Sequence, residues 1–174
     1  MILLGLGSNL PGPWGPPADM LAGALEALER EGIRIALRSG FLLSAPLGRT
    51  AQPEFANAVV AVETYLPPLA LLARCHRIER LGGRRRHQRW GPRTLDIDLL
   101  AYHGVIMNRG TGSAAMAARA PLVLPHPGIE QRAFVLVPLE EIAPGWHHPV
   151  TGQSPSAMLR RLGVQRQGAV LGSL

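Results

Sequence analysis

Apolar and polar positions follow two different periods in the first third of the chain. Ile2 to Leu6 is a short apolar run that predicts a first, buried strand. Between Ala18 and Arg30 the apolar residues recur at helical spacing, which predicts an amphipathic helix. Ile33 to Leu43 then predicts a long strand bent at Ser39-Gly40, with Phe55 to Thr64 as its neighbour.

The pattern continues with a second helix and another strand. Pro67-Pro68 marks the start of a helix that runs to about Leu81 and is closed by Gly82-Gly83. From Leu95 to Leu100 apolar and acidic residues alternate, which is the period of a strand. The element order β-α-β-β-α-β predicts an α/β (α+β) fold: an antiparallel ferredoxin-like sheet with helices packed on one face, leaving the other face or its loops for a site.

The remaining chain is predicted less sharply. Gly104 to Pro121, rich in Gly, Ala and Ser, predicts a loop, and Ile129 to Val137 a third short helix. Residues 145–174 form a weakly determined C-terminal segment, with some helical character from Pro155 to Leu162. Length and a hydrophobic content of 47% predict one domain spanning residues 1–174.

Composition narrows the classes of protein. No apolar run approaches the roughly 20 residues of a membrane span, and the first residues lack a basic segment, so we expect a cytoplasmic protein with no membrane partner. Cys75 is the single cysteine, so it forms no internal disulfide, and its apolar surroundings predict a buried thiol without a catalytic role. We infer no obligate protein partner.

The net charge of +6 invites a nucleic-acid interpretation, but all eighteen basic residues are arginine, which indicates a compositional bias. With 5% aromatic residues there is little to stack on bases. We therefore expect no nucleic-acid partner.

The segment from Arg89 to Leu100 carries the most informative chemistry. Strand alternation places Asp96 and Asp98 on one face and Leu95, Ile97 and Leu99 on the other. Two neighbouring carboxylates favour a cation between them, and hard oxygen ligands suit Mg²⁺ or Mn²⁺. The competing interpretation is an exposed strand face with solvated carboxylates.

An arginine cluster directly precedes this strand, around Gly82 and Gly83. Its members are Arg80, Arg84, Arg85, Arg86, Arg89 and Arg93. Guanidinium groups bind phosphate oxygens as a bidentate fork, so arginines together with paired aspartates indicate a site for a nucleoside triphosphate. A basic surface loop is the alternative.

Four ordered blocks resemble the 6-hydroxymethyl-7,8-dihydropterin pyrophosphokinase (HPPK) family. They are Arg89 to Asp98, Gly5 to Leu10, Gln52 to Ala58, and Leu124 to Pro127 followed by Arg132 to Phe134. The resemblance runs from about residue 2 to Pro144. It implies transfer of pyrophosphate from ATP to 6-hydroxymethyl-7,8-dihydropterin in folate biosynthesis, with AMP leaving and the attack falling on the β-phosphorus.

The resemblance also implies roles for individual residues. Asp96 and Asp98 would hold two Mg²⁺ ions, and with Arg84 and Arg93 they form the implied catalytic set. The implied ATP-binding residues are Glu79, Arg84, Arg86, Arg89, Trp90, Arg93, Ile97, His126 and Arg132. The implied pterin-binding residues are Ser44, Leu47, Phe55, Asn57, Trp90, Asp96 and Phe134. Phe55 and Phe134 would stack on the pterin faces, and Asn57 would offer both a donor and an acceptor to its amide edge.

Several of these residues also have structural interpretations. Trp90 could serve as a packing anchor, Glu79 as an exposed helix carboxylate, and His126 as a structural loop histidine. Phe55, standing where tyrosine is common in the family, and Phe134 could equally belong to the core. His76 replaces an expected glutamine, and Pro127 is another departure.

Two other functions stay open at this point. An RNA-binding module of the same fold would show salt-dependent affinity that the aspartates do not affect. A phosphotransferase acting on another alcohol would keep the phosphate site but not depend on Phe55, Asn57 and Phe134.

Overall fold

The protein is built on one antiparallel sheet. The computed structural model describes residues 1–46, 52–85, 91–108 and 122–163, and the backbone of a short strand at 170–171. The strands are β1 Ile2–Ser8, β2 Arg34–Arg38, β3 Phe41–Ser44, β4 Phe55–Glu63, β5 Asp96–Tyr102 and β6 Val170–Leu171. The helices are α1 Pro17–Arg30, α2 Pro68–Leu81, α3 Ala133–Ile142 and α4 Pro155–Arg161, with a 3₁₀ turn at Ile129–Gln131.

The strand order brings distant parts of the chain together at one end of the sheet. The order is β5-β1-β4-β3-β6, and β2 also pairs with β4. All pairings are antiparallel. Gly7 near the end of β1 is the register partner of both Asp96 and Asn57, so the phosphate-side and pterin-side residues of the sequence interpretation flank one strand. The predicted mixed α/β fold with an antiparallel sheet and helices is confirmed.

The predicted long strand after α1 is interrupted at the predicted bend. Its two halves are β2 and β3, and both pair with β4. Ser39 lies in the break, where its Oγ accepts a hydrogen bond from Val59 N–H at 3.0 Å and its own N–H donates to Val59 O at 3.1 Å. Gly40 N–H instead donates to the Glu141 carboxylate of α3 at 3.0 Å. The break therefore ties the sheet edge to a helix.

Helices cover both faces of the sheet, so the prediction of helices on a single face was wrong. On one face α1 and α2 enclose the first core. Its largest fully buried members include Leu4, Met20, Leu21, Leu28, Leu71 and Ile78. On the other face α3 and α4 enclose a second core. Its members include Leu3, Val59, Leu100, Leu136, Leu139 and Met158.

The strand sequences explain why two layers are needed. In β4, every residue from Ala56 to Val62 is buried, since neighbouring side chains point into different cores. A strand buried on both faces has a continuous apolar sequence rather than an alternating one. The third helix begins at Ala133, after the 3₁₀ turn, and extends to Ile142. It therefore lies later than the predicted range, although it overlaps it.

The second helix ends in a turn that leads directly to the arginine segment. Gly83 has φ +76°, a left-handed backbone conformation that glycine adopts without strain. Arg84 N–H donates to Glu79 O at 2.9 Å and so begins the segment beside the last turn of α2. Within the described residues, no helix is both long and apolar enough to span a membrane.

Candidate active site

A pocket opens at the end of the sheet where β1 lies between β4 and β5, and α3 forms its other wall. Many of the residues that the sequence singled out line it. These are Ser44, Phe55, Asn57, Arg93, Asp96, Asp98, Arg132 and Phe134. Gly5 and Gly7 of β1 also line the pocket, where the lack of side chains keeps its floor open. A neighbouring pocket is lined by His76, Glu79, Arg80 and Arg84.

Asp96 lies between two arginines. Arg84 Nη1 donates to Asp96 Oδ1, and Arg93 Nη1 donates to Asp96 Oδ2. Burial alone would raise the pKa of Asp96, but the positive charges of Arg84 and Arg93 outweigh it and hold the pKa below its usual value. Asp96 is therefore fully ionised at neutral pH.

Asp98, two residues along the same face, has the opposite electrostatic environment. Its Oδ2 is 3.3 Å from Arg132 Nη1 and 4.0 Å from His126 Nε2. Desolvation and the negative charge of Asp96 raise the pKa of Asp98, and His126 and Arg132 oppose the shift only in part. The surroundings of Asp98 thus favour the ionised carboxylate less than those of Asp96 do.

The aspartates alternate with core residues, as the strand period predicts. Leu95, Ile97 and Leu99 all belong to the first core. Ile97 keeps 1% of its surface accessible, so its side chain faces away from the pocket. Its backbone N–H donates to Glu79 Oε1 at 2.9 Å. Any nucleotide contact by Ile97 would therefore have to come from its backbone.

Glu79 is buried rather than exposed, which corrects the alternative of a solvated helix carboxylate. It retains 2% of its accessible surface and pairs with Arg84, the same arginine that bonds Asp96. Burial raises the pKa of Glu79 to about 7, against the lowering effects of the Ile97 N–H and Arg84. The same charges of Asp96 and Glu79 raise the pKa of Arg84 despite its partial burial.

Residues at the end of β1 hold the Arg93 segment in place. Asn9 Oδ1 accepts a hydrogen bond from Arg93 N–H at 2.7 Å, and Ser8 Oγ donates to Thr94 O at 2.6 Å. The Asn9 amide Nδ2 also donates to Gln52 Oε1 at 3.3 Å and to Pro53 O at 3.2 Å. Asn9 thus joins the phosphate side to the pterin side. The sequence interpretation quoted this Gly-Ser-Asn turn without giving Ser8 or Asn9 a role. Two polar residues directly after an apolar strand were the sequence feature that could have indicated one.

On the pterin side, the donor half of the Asn57 amide bonds within the protein. Its Nδ2 donates to Ser44 Oγ at 3.0 Å, to Phe55 O at 3.1 Å and to Leu42 O at 3.3 Å. Its Oδ1 lies over Gly7, 3.5 Å from the position that a Cβ on Gly7 would take. The expectation that Asn57 offers a ligand both a donor and an acceptor needs correction. The Nδ2 donor bonds to acceptors within the protein, and Oδ1 is the amide atom that lies on the Gly7 side.

The two phenylalanines reach the pocket. Phe55 and Phe134 both line it, and Phe134 also packs against the second core. The Arg132 guanidinium lies 5.9 Å from the centre of the Phe134 ring, within cation–π range. Arg132 therefore contacts both the carboxylate side and the aromatic side of the pocket.

The other predicted residues lie either away from the pocket or outside the described residues. Cys75 is buried in the first core, and burial raises the pKa of its thiol to about 12, in keeping with a structural role. Four further residues of the sequence interpretation lie outside the described residues, as does most of the predicted loop from Gly104 to Pro121. They are Leu47, Arg86, Arg89 and Trp90.

Comparison with known proteins identifies the family of this site. Residues 3–144 match the model of the 7,8-dihydro-6-hydroxymethylpterin-pyrophosphokinase (HPPK) family. The chain belongs to this family. A 2-amino-4-hydroxy-6-hydroxymethyldihydropteridine pyrophosphokinase of Methylorubrum extorquens is 49% identical over 142 residues, 81% of either chain. A protein of the same name from Haemophilus influenzae is 40% identical over 141 residues, covering 80% of this chain and 79% of the relative.

Solved HPPK structures share the fold. The Plasmodium falciparum HPPK-DHPS crystal structure with pteroate superposes with a TM-score of 0.65 at 14% identity, covering 92% of this chain. This chain spans 42% of that longer protein.

Proposed function

We propose that the pocket beside β1, β5 and α3 is where this HPPK family member transfers pyrophosphate from ATP to 6-hydroxymethyl-7,8-dihydropterin, with Mg²⁺ held by Asp96 and Asp98. The relatives named above carry this activity in their names, and the reaction belongs to folate biosynthesis, as the name of the fungal relative "Folic acid synthesis protein fol1" indicates. The observation that carries the site assignment is the pair of aspartates on one strand face between the arginines and the aromatic pocket.

The aspartates fit a divalent cation by their chemistry and their charge. Carboxylate oxygens are the ligands that Mg²⁺ prefers, and the ion usually keeps part of its shell for water and phosphate oxygens. Burial and the neighbouring Asp96 carboxylate raise the pKa of Asp98, and a bound cation would favour its ionised form. When bound, Mg²⁺ would withdraw electron density from the phosphate oxygens and neutralise charge that builds up on them. We propose two ions, as the family resemblance implies.

The guanidinium groups of the arginines would bind the phosphates. Arg84 and Arg93 are bonded to Asp96 in this structure, so their guanidinium groups already lie at the boundary of the metal position. A cation on Asp96 would compete for the same oxygens and free guanidinium donors for phosphate. Glu79 would then retain Arg84, since it is buried beneath it. Arg132 and His126 would contact phosphate from the other side of Asp98.

The aromatic side of the pocket would hold the pterin. Phe55 and Phe134 offer apolar faces to a flat ring, and Asn57 Oδ1 offers an acceptor for a ring N–H or amino group. The hydroxymethyl oxygen would then point toward the aspartates, in line for attack on the β-phosphorus.

Product analysis tests this assignment directly. Purified protein would be incubated with ATP, Mg²⁺ and 6-hydroxymethyl-7,8-dihydropterin, and the nucleotides separated by chromatography. We expect pterin-dependent AMP, and its loss by a factor of at least about 10³ in Asp98→Ala at unchanged thermal stability. The matched control is Glu26→Ala, which removes an exposed carboxylate on α1.

The alternatives predict other outcomes. ADP in place of AMP would identify an ordinary phosphotransferase, and no nucleotide product would favour a binding module. Mn²⁺ binding in the presence of an ATP analogue, followed by electron paramagnetic resonance, gives a readout apart from turnover. Full Mn²⁺ binding by Asp98→Ala would refute the metal assignment.

A further inference from the structure

Gly128 lies in the turn between His126 and Arg132 and is packed closely against both side chains. A Cβ added there would lie 2.6 Å from Arg132 Nε, 2.8 Å from Arg132 Cζ and 3.1 Å from His126 Cε1. Real Cβ atoms do not approach other heavy atoms this closely, so one of the two side chains would have to move. Both of these side chains face Asp98.

The backbone of Gly128 does not itself require glycine. Its φ of −89° and ψ of −4° are accessible to any L-residue. Gly23 and Gly82 are crowded too, but by tryptophan or core side chains. Space for Arg132 and His126, rather than backbone conformation, is therefore what the missing side chain provides at Gly128.

The same residue also orients the histidine. Gly128 N–H donates to His126 Nδ1 at 3.0 Å, so in the neutral ring Nδ1 is the acceptor and Nε2 carries the hydrogen. Nε2 is the atom directed at Asp98 Oδ2, 4.0 Å away. The N–H of Gly128 thus fixes the ring orientation of His126. The absence of a Cβ on Gly128 leaves the space that the Arg132 guanidinium occupies.

We propose that Gly128 is a positioning residue of the phosphate site, which seats the Arg132 guanidinium and the His126 ring against Asp98. It acts through these two side chains and does not itself touch a substrate. The proposal rests on the assignment of Arg132 to ATP made above. The neighbouring turn supports the same geometry, because Ile129 N–H donates to His126 O at 3.2 Å and Arg132 N–H donates to Ile129 O at 3.3 Å.

The decisive variant is Gly128→Ala, which keeps the backbone N–H and adds only a methyl group. Affinity would be measured by calorimetry with Mg²⁺ and an ATP analogue that has a methylene bridge between the α- and β-phosphorus atoms and so cannot react. We expect affinity to fall about tenfold, the scale of one displaced charge-assisted hydrogen bond. The thermal unfolding midpoint should remain close to that of the wild type, because the turn accommodates alanine.

Two matched glycines provide the control. A Cβ on Gly104 or on Gly145 would meet no atom within 4 Å, and neither residue has a positive φ. Gly104→Ala and Gly145→Ala should therefore bind the analogue as the wild type does. The Arg132 Nε–H signal in nuclear magnetic resonance, assigned by its loss in Arg132→Ala, should shift in Gly128→Ala and not in the two controls.

A double-mutant cycle separates this proposal from the site assignment. In the Arg132→Ala background, Gly128→Ala should weaken analogue binding by less than about twofold, because the displaced group is already gone. Equal tenfold losses in both backgrounds, or wild-type affinity in Gly128→Ala, would overturn the positioning role. If Arg132→Ala itself leaves analogue binding unchanged, the assignment of Arg132 to ATP fails instead, and the positioning role fails with it.

Discussion

Asp96 and Asp98 are chemically identical and share one strand face, yet their environments shift their carboxyl pKa values in opposite directions. Asp96 has arginine donors on both oxygens, whereas Asp98 has one arginine contact at 3.3 Å and a histidine at 4.0 Å. Neighbouring positive charge favours an ionised carboxylate, and a neighbouring carboxylate disfavours it. We therefore expect Asp96 to stabilise the unliganded fold more than Asp98 does, and the proposed cation would act mainly on Asp98.

Amide variants should separate these two roles. Asp96→Asn removes the charge between Arg84 and Arg93, so we expect the free energy of unfolding without ligand to fall by about 1–3 kcal/mol. Asp98→Asn relieves repulsion with Asp96, so unliganded stability should stay equal or rise. Urea unfolding of both variants measures this difference, and a larger loss in Asp98→Asn would contradict it.

Glu79 should make stability depend on pH. Its pKa is raised from the ordinary 4.5 to about 7, so the native state binds more protons than the unfolded state in this interval. Stability from this group is therefore highest at low pH and is lost as pH rises through the interval, with no further change above it. Glu79→Gln removes the titration, so relative to wild type its free energy of unfolding should increase by about 2–3 kcal/mol from pH 4.5 to pH 8.

Urea unfolding at several pH values tests this expectation. Glu26→Gln is the control, because it makes the same chemical change at an exposed carboxylate on α1. A flat difference for Glu79→Gln would mean that the folded and unfolded states bind the same number of protons at Glu79, so that its pKa is not raised by folding. In that case Arg84 and the Ile97 N–H would fully offset the effect of burial.

At the scale of elements, sequence periods predicted whether a segment forms a helix or a strand, but they did not predict which elements pack against it. The helix periods, the helix start at Pro67-Pro68 and the break at Ser39-Gly40 all correspond to observed elements. The second helical layer was missed, although the unbroken apolar sequence of β4 indicated burial on both faces. Local pattern determines an element; the partner of each face depends on distant residues.

The same limit applies to the site. Strand alternation correctly predicted that Asp96 and Asp98 face together and that Ile97 faces the core. No local pattern could show that Glu79 is buried beneath Arg84, or that Asn9 bonds residues 43 to 84 positions away. Such contacts arise from the register between β1 and its two neighbours, which sequence spacing does not define.

Asn9 provides a prediction at this scale, because its side chain joins three segments. Asn9→Leu keeps similar volume but leaves Arg93 N–H without its acceptor, so we expect unfolding free energy to fall by about 1–3 kcal/mol and the KM values for both substrates to rise. Asn9→Asp keeps the acceptor and loses the donor to Gln52 and Pro53, so the pterin KM should rise more than that of ATP. Equal changes in the two KM values for Asn9→Asp would contradict the bridging role.

At the scale of the whole molecule, two cores share one sheet, and side chains at the start of α3 line the pocket. Arg132 precedes α3 and Phe134 lies within it, while Leu136 and Leu139 anchor the helix in the second core. The geometry of the site therefore depends on the packing of a layer that is remote from the aspartates in sequence.

Leu139→Ala should destabilise the protein by about 2–4 kcal/mol, since Leu139 is fully buried in the second core. Leu81→Ala is the matched control, because Leu81 at the end of α2 keeps 55% of its surface accessible and should cost less than about 1 kcal/mol. Chemical denaturation gives both values. Similar losses for the two variants would show that the second layer is loosely packed.

The position of β1 between β4 and β5 also has a consequence for the order of events during folding. Ile2 pairs with Val62 on one side and with Tyr102 on the other, so the strand made first acquires its partners only after some sixty and then a hundred residues have followed. Contacts of such long sequence separation slow folding, because the intervening chain loses entropy before they form. Until then the apolar side chains of Ile2, Leu3 and Leu4 stay uncovered on a growing chain, where they are substrates for chaperones and seeds for aggregation.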